Sequence, residues 1–386
     1  MSEIGTALLG LGDKLAAHVL LSAAAIALGI AVALPLAIWA SRSPAVARAT
    51  LGFASLVQTI PALALLALFF PILLSLRAVF GEGLPTLGFL PALLALSLYA
   101  LLPILRNAVT AQANLDPGIL EAADGVGMSF WQRLRLVEAP LAAPYVMAGI
   151  RTAAVWTIGA ATLSTTIGQP SLGDPIFAGL QTQNWVLVLA GCIASAGLAL
   201  VADALLGTIE KGLATRRRRL SFAGLVAVLL GIVAALAVQF GNRAEDRIVI
   251  GAKGFSEQYI LARLIGQRLE AAGYMVDYRN GLGSAVAHQA VASGAIDVLV
   301  DYTGTIWTNQ MERRDTPGRD TMLAEIEEWE TRTTGTHVLG RLGFENAYGL
   351  AMARARAEAG GFAAIGDLAA RGQGMTIGGD PEFFER

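Results

Sequence analysis

Tyrosine, threonine and serine side chains follow three predicted strands in the last third of the chain. The three segments are KGFSEQ (253–258), NGLGS (280–284) and DYTGT (301–305). The first two lead into predicted helices, whose free backbone N–H groups favour an anion such as a carboxylate. The face of Tyr302 can attract a quaternary ammonium group, and Trp307 and Tyr348 are further aromatic candidates. The set suits a small zwitterion, although a tyrosine at a strand end is more often a half-buried packing residue.

An alternation of strands and helices must position these segments. The strands are predicted at 248–253, 274–279 and 295–302, and the helices at 256–273 and 284–294, with Ser284 as an N-cap. This order predicts parallel βαβ units, in which ligands lie at the carboxyl ends of the strands. Farther along, two strands and the helix between them are predicted at 346–354, 374–380 and 365–371.

The rest of the chain has a different composition. The whole sequence is 55% hydrophobic and 15% charged, whereas a soluble protein carries about 25% charged residues. Residues 1–240 contain only 13 Lys/Arg and 10 Asp/Glu, and residues 241–386 contain 15 and 20. We therefore expect two domains in different solvents, with a boundary near residue 241.

Six long stretches of the first part contain no charged residue, and each is long enough for a membrane-spanning helix. The predicted spans are 16–39, 52–75, 86–105, 146–167, 185–206 and 220–240. Lysine and arginine are concentrated in the loops after spans 1, 3 and 5, with ten such residues on that side and two on the other. The positive-inside rule then places loop 106–140 in the cytoplasm and the N-terminus and residues 241–386 outside.

Motifs for catalysis, metal binding or nucleotide binding are missing from the sequence. It has no HExxH, GxSxG or Walker pattern, its three histidines are scattered, and its single cysteine, Cys192, excludes an intramolecular disulfide. The basic run TRRRR (215–219) is interpreted as a topology anchor, and the charge balance gives no indication of nucleic-acid binding. The sequence predicts neither an enzyme nor a metal site.

The cytoplasmic loop 116–140 contains the stretch EAADGVGMSFWQRLRLVEAP (121–140). Asp116 and Pro117 predict a helix start, and Gly125 and Gly127 allow a sharp turn. Ser129 and Gln132 predict a capping box that begins a second helix. The stretch is therefore predicted to form two short helices joined at a sharp angle, which we call the elbow.

This stretch resembles the coupling loop of bacterial ABC importer permeases. The family pattern is EAA, three residues, Gly, nine residues, an aliphatic residue, one residue and then Leu-Pro. Its matching positions are Glu121, Ala122, Ala123, Gly127, Val137 and Pro140, and Ala139 replaces the expected leucine. The resemblance implies a type I ABC importer permease fold and a coupling role for these residues.

The outer domain resembles substrate-binding proteins for osmoprotectants in KGFSEQYILARLIGQRLEAAGY (253–274) and DYTGTIW (301–307). The resemblance implies that the quaternary amine contacts Gln258, Tyr302, Thr305 and Tyr348. Thr305, where choline binders tend to have aspartate, favours betaine-type zwitterions. About 140 residues follow the sixth span, and two lobes need about 100 residues each. We therefore expect the first lobe and part of the second lobe of a type II, two-lobed periplasmic-binding-protein-like domain.

The expected organisation is a permease domain at 1–215, a basic anchor with the sixth span and linker at 216–246, and the binding domain at 247–386. The resemblance implies a multi-pass protein of the bacterial inner membrane that imports glycine betaine, choline or carnitine. It implies a homodimer, or a heterodimer with a like permease, in the lipid bilayer. Two cytoplasmic ATPase subunits would bind ATP and Mg²⁺, and this chain would bind no cofactor. A permease for amino acids or another small solute, a membrane-tethered sensor and a channel are the alternatives.

Overall fold

The computed structural model describes residues 3–81, 84–241, 247–345 and 349–379. Contacts between Cα atoms divide the chain into two units, Met1–His337 and Val338–Arg386. The first unit contains the long apolar helices and the sheet. The second unit contains two short helices. In the second unit the carboxylate of Asp367 accepts the backbone N–H groups of Ala363 and Ala364, both at 2.8 Å.

The first part of the chain consists of helices. In chain order they are α1 (Glu3–Leu9), α2 (Gly12–Ala40), α3 (Pro44–Thr59), α4 (Ala62–Phe80), α5 (Phe89–Ala113), α6 (Pro117–Gly125), α7 (Phe130–Arg133), α8 (Ala139–Ala161), α9 (Gly173–Gln181), α10 (Trp185–Ala214) and α11 (Arg218–Gly241). A π-helical turn, Leu134–Glu138, joins α7 to α8, and a 3-10 turn, Thr162–Ile167, follows α8.

Six helical segments of the described residues are long and apolar enough to cross a membrane, as predicted. They are Gly12–Ala40, Ala62–Phe80, Phe89–Ala113, Phe130–Ile167, Trp185–Ala214 and Arg218–Gly241. The second differs from the predicted span 52–75 because Pro61 lacks an N–H group and disfavours a helical residue before it. Ile60 is accordingly extended, with ψ 125°, and α3 ends there.

Small residues allow the helices to approach closely. Helix α5 packs against α2 and α8, and α10 packs against α8 and α11. At Gly149 of α8 an added Cβ would lie 2.7 Å from Cβ of Asn107 and 2.8 Å from the carbonyl oxygen of Pro103, both on α5. Van der Waals contact of this kind drives helix association in lipid, where apolar burial gives no net gain.

Charged side chains join α8 to α10. Arg151 donates from Nε and Nη2 to the two carboxylate oxygens of Asp203, at 2.5 and 2.7 Å, and from Nη1 to Glu210 at 3.2 Å. Gly207 lies between the two acids on α10, where an added Cβ would be 3.4 Å from the guanidinium carbon. The absence of a side chain there leaves room for the arginine, which fixes the register of the two helices.

The outer domain begins with a three-stranded parallel sheet of order β2-β1-β3. The strands are β1 (Arg247–Lys253), β2 (Met275–Leu282) and β3 (Val298–Leu299), with α12 (Ser256–Ala271) and α13 (Ser284–Ala292) between them. Ile248 pairs with Val276, and Ile250 pairs with Val298. The parallel βαβ order is confirmed, although the N-cap of α13 is Gly283 and Ser284 is its first residue.

Beyond the sheet the described residues are helices and irregular segments. The helices are α14 (Thr303–Thr305), α15 (Arg319–Thr333), α16 (Arg354–Gly360) and α17 (Ile365–Arg371), with a π-helical turn at Ile306–Gln310. The helix predicted at 365–371 is confirmed. The strands predicted at 346–354 and 374–380 are wrong for the described residues 349–353 and 374–379, which have no regular structure. These segments are largely exposed and pair with no other described strand, and an unpaired strand is not stable.

Candidate functional site

The elbow has the local structure that its sequence predicts. The carboxylate of Asp116 accepts the N–H group of Gly118 at 2.8 Å, and Pro117 is the first residue of α6. Gly127 adopts φ +74°, which lets the chain turn sharply between α6 and α7. The capping box is present, since Ser129 N–H donates to Gln132 Oε1 at 2.8 Å and Gln132 N–H donates to Ser129 Oγ at 3.4 Å.

Most of the five predicted coupling residues lie on the surface of the elbow. Ala123 is buried and packs inward, whereas the other four are exposed: Glu121, Ala122, Gly127 and Pro140. Two apolar side chains next to them are also exposed, Val126 by 74% and Trp131 by 72%. Exposed apolar side chains grouped on a polar loop are typical of a docking surface.

Next to this surface lies a set of charged residues that the sequence analysis did not find. Glu138 is buried and accepts hydrogen bonds from Arg42 and Arg133, and Arg133 also donates to Asp124. We call these four residues the Glu138 cluster. Its one sequence signal is a carboxylate at the start of an apolar span, directly before Ala139 and Pro140. Its partner Arg42 lies 96 positions away, so local patterns could not reveal the contact.

The candidate ligand residues lie at the carboxyl ends of the strands. Gln258 is buried, and its Nε2 donates to the hydroxyl of Tyr302 at 3.4 Å. The same hydroxyl donates to the Glu257 carboxylate at 2.5 Å. Thr305 is buried on α14, with its N–H group 3.0 Å from the carbonyl oxygen of Tyr302. The structure thus brings Gln258 and Tyr302 together and places Thr305 one turn farther along the chain.

The other two aromatic residues that the sequence suggested for the ligand site are Trp307 and Tyr348. Tyr348 lies outside the described residues. Trp307 is buried, its Nε1 donates to the carbonyl oxygen of Asp315 at 2.7 Å, and the guanidinium of Arg313 covers its ring at 4.0 Å. The ring face of Trp307 is therefore covered by Arg313, a residue of the same outer domain.

A buried lysine also lies at this edge of the sheet. Lys253, the last residue of β1, forms an ion pair with Asp301, and its ammonium nitrogen lies 5.9 Å from the ring centroid of Tyr302. Sequence analysis identified both loops but not the pair. The predicted strand order contained the information needed to predict this pair, because the carboxyl ends of adjacent parallel strands meet at one edge of the sheet.

The sheet domain lies against the ends of the apolar helices that are opposite to the elbow. Ser256 Oγ donates to the carbonyl oxygen of Gln181 at 2.5 Å. Leu282 packs near Gly168, where an added Cβ would be 3.5 Å from the leucine. The hydroxyl of Tyr259 is buried here and has no hydrogen-bond partner among the described residues. Burial raises the pKa of Tyr259 to about 12, and the charge of Asp174 adds to the effect.

Comparison with known proteins decides the family. Residues 25–215 match the family described as the binding-protein-dependent transport system inner membrane component. Residues 246–386 match the substrate binding domain of the ABC-type glycine betaine transport system. The glycine betaine/carnitine/choline transport system permease protein OpuCB of Bacillus subtilis is 40% identical over 198 residues, 51% of this chain and 86% of OpuCB. The chain belongs to the osmoprotectant ABC importer permeases.

A second curated osmoprotectant permease has a similar level of identity to this chain. The osmoprotectant import permease protein OsmW of Salmonella typhimurium is 41% identical over 193 residues, 50% of this chain and 86% of OsmW. The ergothioneine transport permease/ergothioneine binding protein EgtU of Helicobacter pylori is 31% identical over 344 residues. That alignment covers 86% of this chain and 60% of EgtU. A solved chain of the MetNI methionine ABC transporter has 20% identity and a TM-score of 0.46, covering 55% of this chain and 99% of that chain.

The predicted fold class and location follow from these findings. The permease is a multi-pass inner-membrane protein of six spans followed by an α/β substrate-binding domain, which in ABC importers is extracytoplasmic. The elbow and the sheet domain therefore lie on opposite sides of the membrane. A transport permease is not an enzyme. The boundaries after residues 215 and 246, and the roles assigned to individual site residues, stay predictions.

Proposed function

We propose that this permease is the membrane subunit of an ATP-driven importer of quaternary-amine osmoprotectants. The observation that carries the proposal is the placement of the two candidate sites at opposite ends of one helix bundle. The elbow at one end exposes Val126 and Trp131, and the lobe at the other end places Gln258 and Tyr302 beside each other. An importer needs a site for the energy-supplying subunit on one side and a substrate site on the other.

The elbow is the proposed docking site for a cytoplasmic ABC ATPase. The described residues of this chain contain no phosphate-binding loop, and the sequence has no Walker pattern. ATP and Mg²⁺ are therefore assigned to the ATPase partner, and none of the chain's own residues is assigned to a cofactor. A homodimer of permeases in the lipid bilayer would present two elbows to two ATPase subunits.

The proposed substrates are glycine betaine, choline and carnitine. Tyr302 presents an aromatic ring to a cation that cannot donate classical hydrogen bonds. Thr305 at the aspartate position of choline binders favours a betaine-type zwitterion. Ergothioneine is a second candidate substrate, because EgtU aligns with this chain across both domains.

Calorimetric titration of the detergent-purified chain tests the substrate class. Glycine betaine, choline, carnitine, ergothioneine and proline are titrated separately. Saturable binding of a quaternary amine, with none of proline, supports the proposal. Binding of proline alone would favour the amino-acid permease alternative. Binding of none of the five would contradict the proposed substrate class and leave the family assignment in place.

A further inference from the structure

The carboxylate of Glu138 is buried where the elbow meets the membrane. Glu138 is 4% exposed and ends the π-helical turn directly before α8. Removing an ionised carboxylate from water costs several kcal/mol unless it is paired and hydrogen-bonded. Its burial therefore depends on the cations around it, and the contacts that supply them come from different helices.

Arg133 connects Glu138 to the first helix of the elbow. Its Nε donates to Glu138 Oε1 at 2.9 Å, and its Nη1 donates to both carboxylate oxygens of Asp124 at 2.7 Å. Asp124 lies on α6, the helix that contains Glu121, Ala122 and Ala123. The arginine thus joins α6 to the start of α8 across the turn at Gly127.

Arg42 connects the same carboxylate to the first span. Its Nη2 lies 3.1 Å from each oxygen of Glu138, and its guanidinium carbon lies 4.5 Å from the ring centroid of Phe130. Arg42 lies two residues after the end of α2, and Phe130 begins α7. Arg42 therefore links the end of the first span, to which its backbone is attached, to Phe130 of the elbow and to Glu138 before α8.

The backbone connection between the elbow and α8 is a π-helical turn at Leu134–Glu138. Such turns are wider than an α-helix and frequently occur at functional sites. A displacement of α6 and α7 could be absorbed there if no side chains crossed it. The Glu138 cluster crosses this turn, with two acids and two arginines that together carry no net charge.

We propose that Glu138 is a positioning residue for energy coupling, which transmits displacement of the elbow to α2 and α8. The proposal rests on the proposed function, because it assumes that the ATPase docks on the elbow. It differs from a purely structural role in one respect. Loss of the carboxylate charge leaves an assembled transporter that hydrolyses ATP but moves little substrate per ATP.

The test compares Glu138→Gln, Arg42→Gln and the double variant in proteoliposomes with the ATPase subunit. Substrate uptake and ATP hydrolysis are measured together. Each single variant is expected to lower the substrate moved per ATP by about tenfold or more, as expected for breaking a buried charge pair. The double variant is expected to be no worse than the singles, because both changes remove the same interaction. Arg135→Gln, an exposed arginine of the same turn, is the matched control and should keep the wild-type ratio.

Three outcomes decide the matter. An unchanged ratio in Glu138→Gln overturns the inference. If Glu138→Gln fails to assemble, Arg42→Gln decides in its place. An assembled Arg42→Gln with a lowered ratio of substrate to ATP supports the inference, and one that keeps the wild-type ratio or does not assemble overturns it. A wild-type complex that moves no quaternary amine would contradict the proposed function itself, whatever the variants do.

Discussion

Lys253 and Asp301 form an ion pair at the carboxyl ends of the adjacent parallel strands β1 and β3. The lysine is 1% exposed, and the aspartate also accepts the N–H group of Tyr302 at 2.7 Å. The pair thus fixes the backbone of the loop that presents the candidate aromatic face. The ligand residues and the core of the lobe are connected through this contact.

Removing one partner of this pair is expected to destabilise the lobe. Lys253→Met leaves the carboxylate of Asp301 without its cation, and a broken buried pair costs about 3–5 kcal/mol. The effect is measured as the midpoint temperature of thermal unfolding of the purified chain, with resistance of the outer domain to a protease as the probe of unfolding. The double variant Lys253→Met/Asp301→Leu is expected to recover much of the loss. If Lys253→Met is as stable as the wild type, the ion pair of Lys253 and Asp301 does not stabilise the outer domain.

Tyr302 is expected to contribute its ring more than its hydroxyl to ligand binding. Tyr302→Ala removes the aromatic face and should raise the Kd for glycine betaine by about thirtyfold, because a desolvated cation–π contact is worth about 2 kcal/mol. Tyr302→Phe keeps the face and should have a clearly smaller effect. Tyr274→Ala, an exposed tyrosine before the amino end of β2, is the control in the same titration. Wild-type affinity in Tyr302→Ala would remove Tyr302 from the site.

The turn at Gly127 is expected to be necessary for uptake and unnecessary for ligand binding. A side chain at φ +74° costs about 1–2 kcal/mol and changes the angle between α6 and α7. Gly127→Leu should therefore abolish uptake while the affinity for glycine betaine stays at the wild-type value. The structure places the turn at Gly127 and not at Gly125, which is the last residue of α6 and has no positive φ. Gly125→Ala, with open space around it, should therefore leave both uptake and affinity unchanged. Parallel loss of uptake and binding in Gly127→Leu would indicate a general folding defect.

Close packing of α5 and α8 is expected to set the stability of the permease domain. Gly149→Val places side-chain atoms where even a Cβ would be 2.7 Å from Asn107. Over-packing of this kind costs about 1–3 kcal/mol, so the melting temperature in detergent should fall. Gly159→Val lies on the same helix with open space around it and should melt close to the wild type. Equal melting of the two variants would contradict the close approach of α5 and α8.

The pair of His288 and Glu330 predicts a pH dependence of the lobe. Burial alone would raise the pKa of Glu330, but hydrogen bonds from His288 at 2.8 Å and from Thr334 outweigh it and lower the pKa. A carboxyl group with a lowered pKa stabilises the fold above its unfolded pKa, which is about 4.3 for glutamate. This stability is lost as the pH falls through the lower folded value. The protection of α13 and α15 against hydrogen exchange, measured relative to the intrinsic exchange rate at each pH, should therefore fall below about pH 4 in the wild type. Glu330→Gln should show a weaker pH dependence of this protection.

The elbow was predictable because its structure depends on neighbours in sequence. Asp116, Pro117, Ser129 and Gln132 act through contacts within three positions, and each occupies its expected capping position. The six spans were predictable for a related reason, since length and apolarity determine whether a helix can cross a bilayer. The second span begins later than the apolar run alone predicts, because Pro61 holds Ile60 in an extended conformation.

The contacts that matter most for the proposed coupling were not predictable in this way. Arg42, for example, reaches Glu138 across 96 positions of the sequence. The spacing of apolar and polar residues in the sequence does not indicate which charged side chains come into contact after folding. The strands predicted at 346–354 and 374–380 are wrong in their described residues, 349–353 and 374–379. Their composition suits a strand, but no described strand pairs with them.

Uptake of radiolabelled glycine betaine into proteoliposomes tests the central claim most directly. The vesicles contain this permease and its ABC ATPase, with ATP on the elbow side. The account predicts accumulation against the concentration gradient that requires hydrolysable ATP and is competed by other quaternary amines. Equilibration of glycine betaine without ATP, or ATP-driven uptake that quaternary amines do not compete, would contradict it.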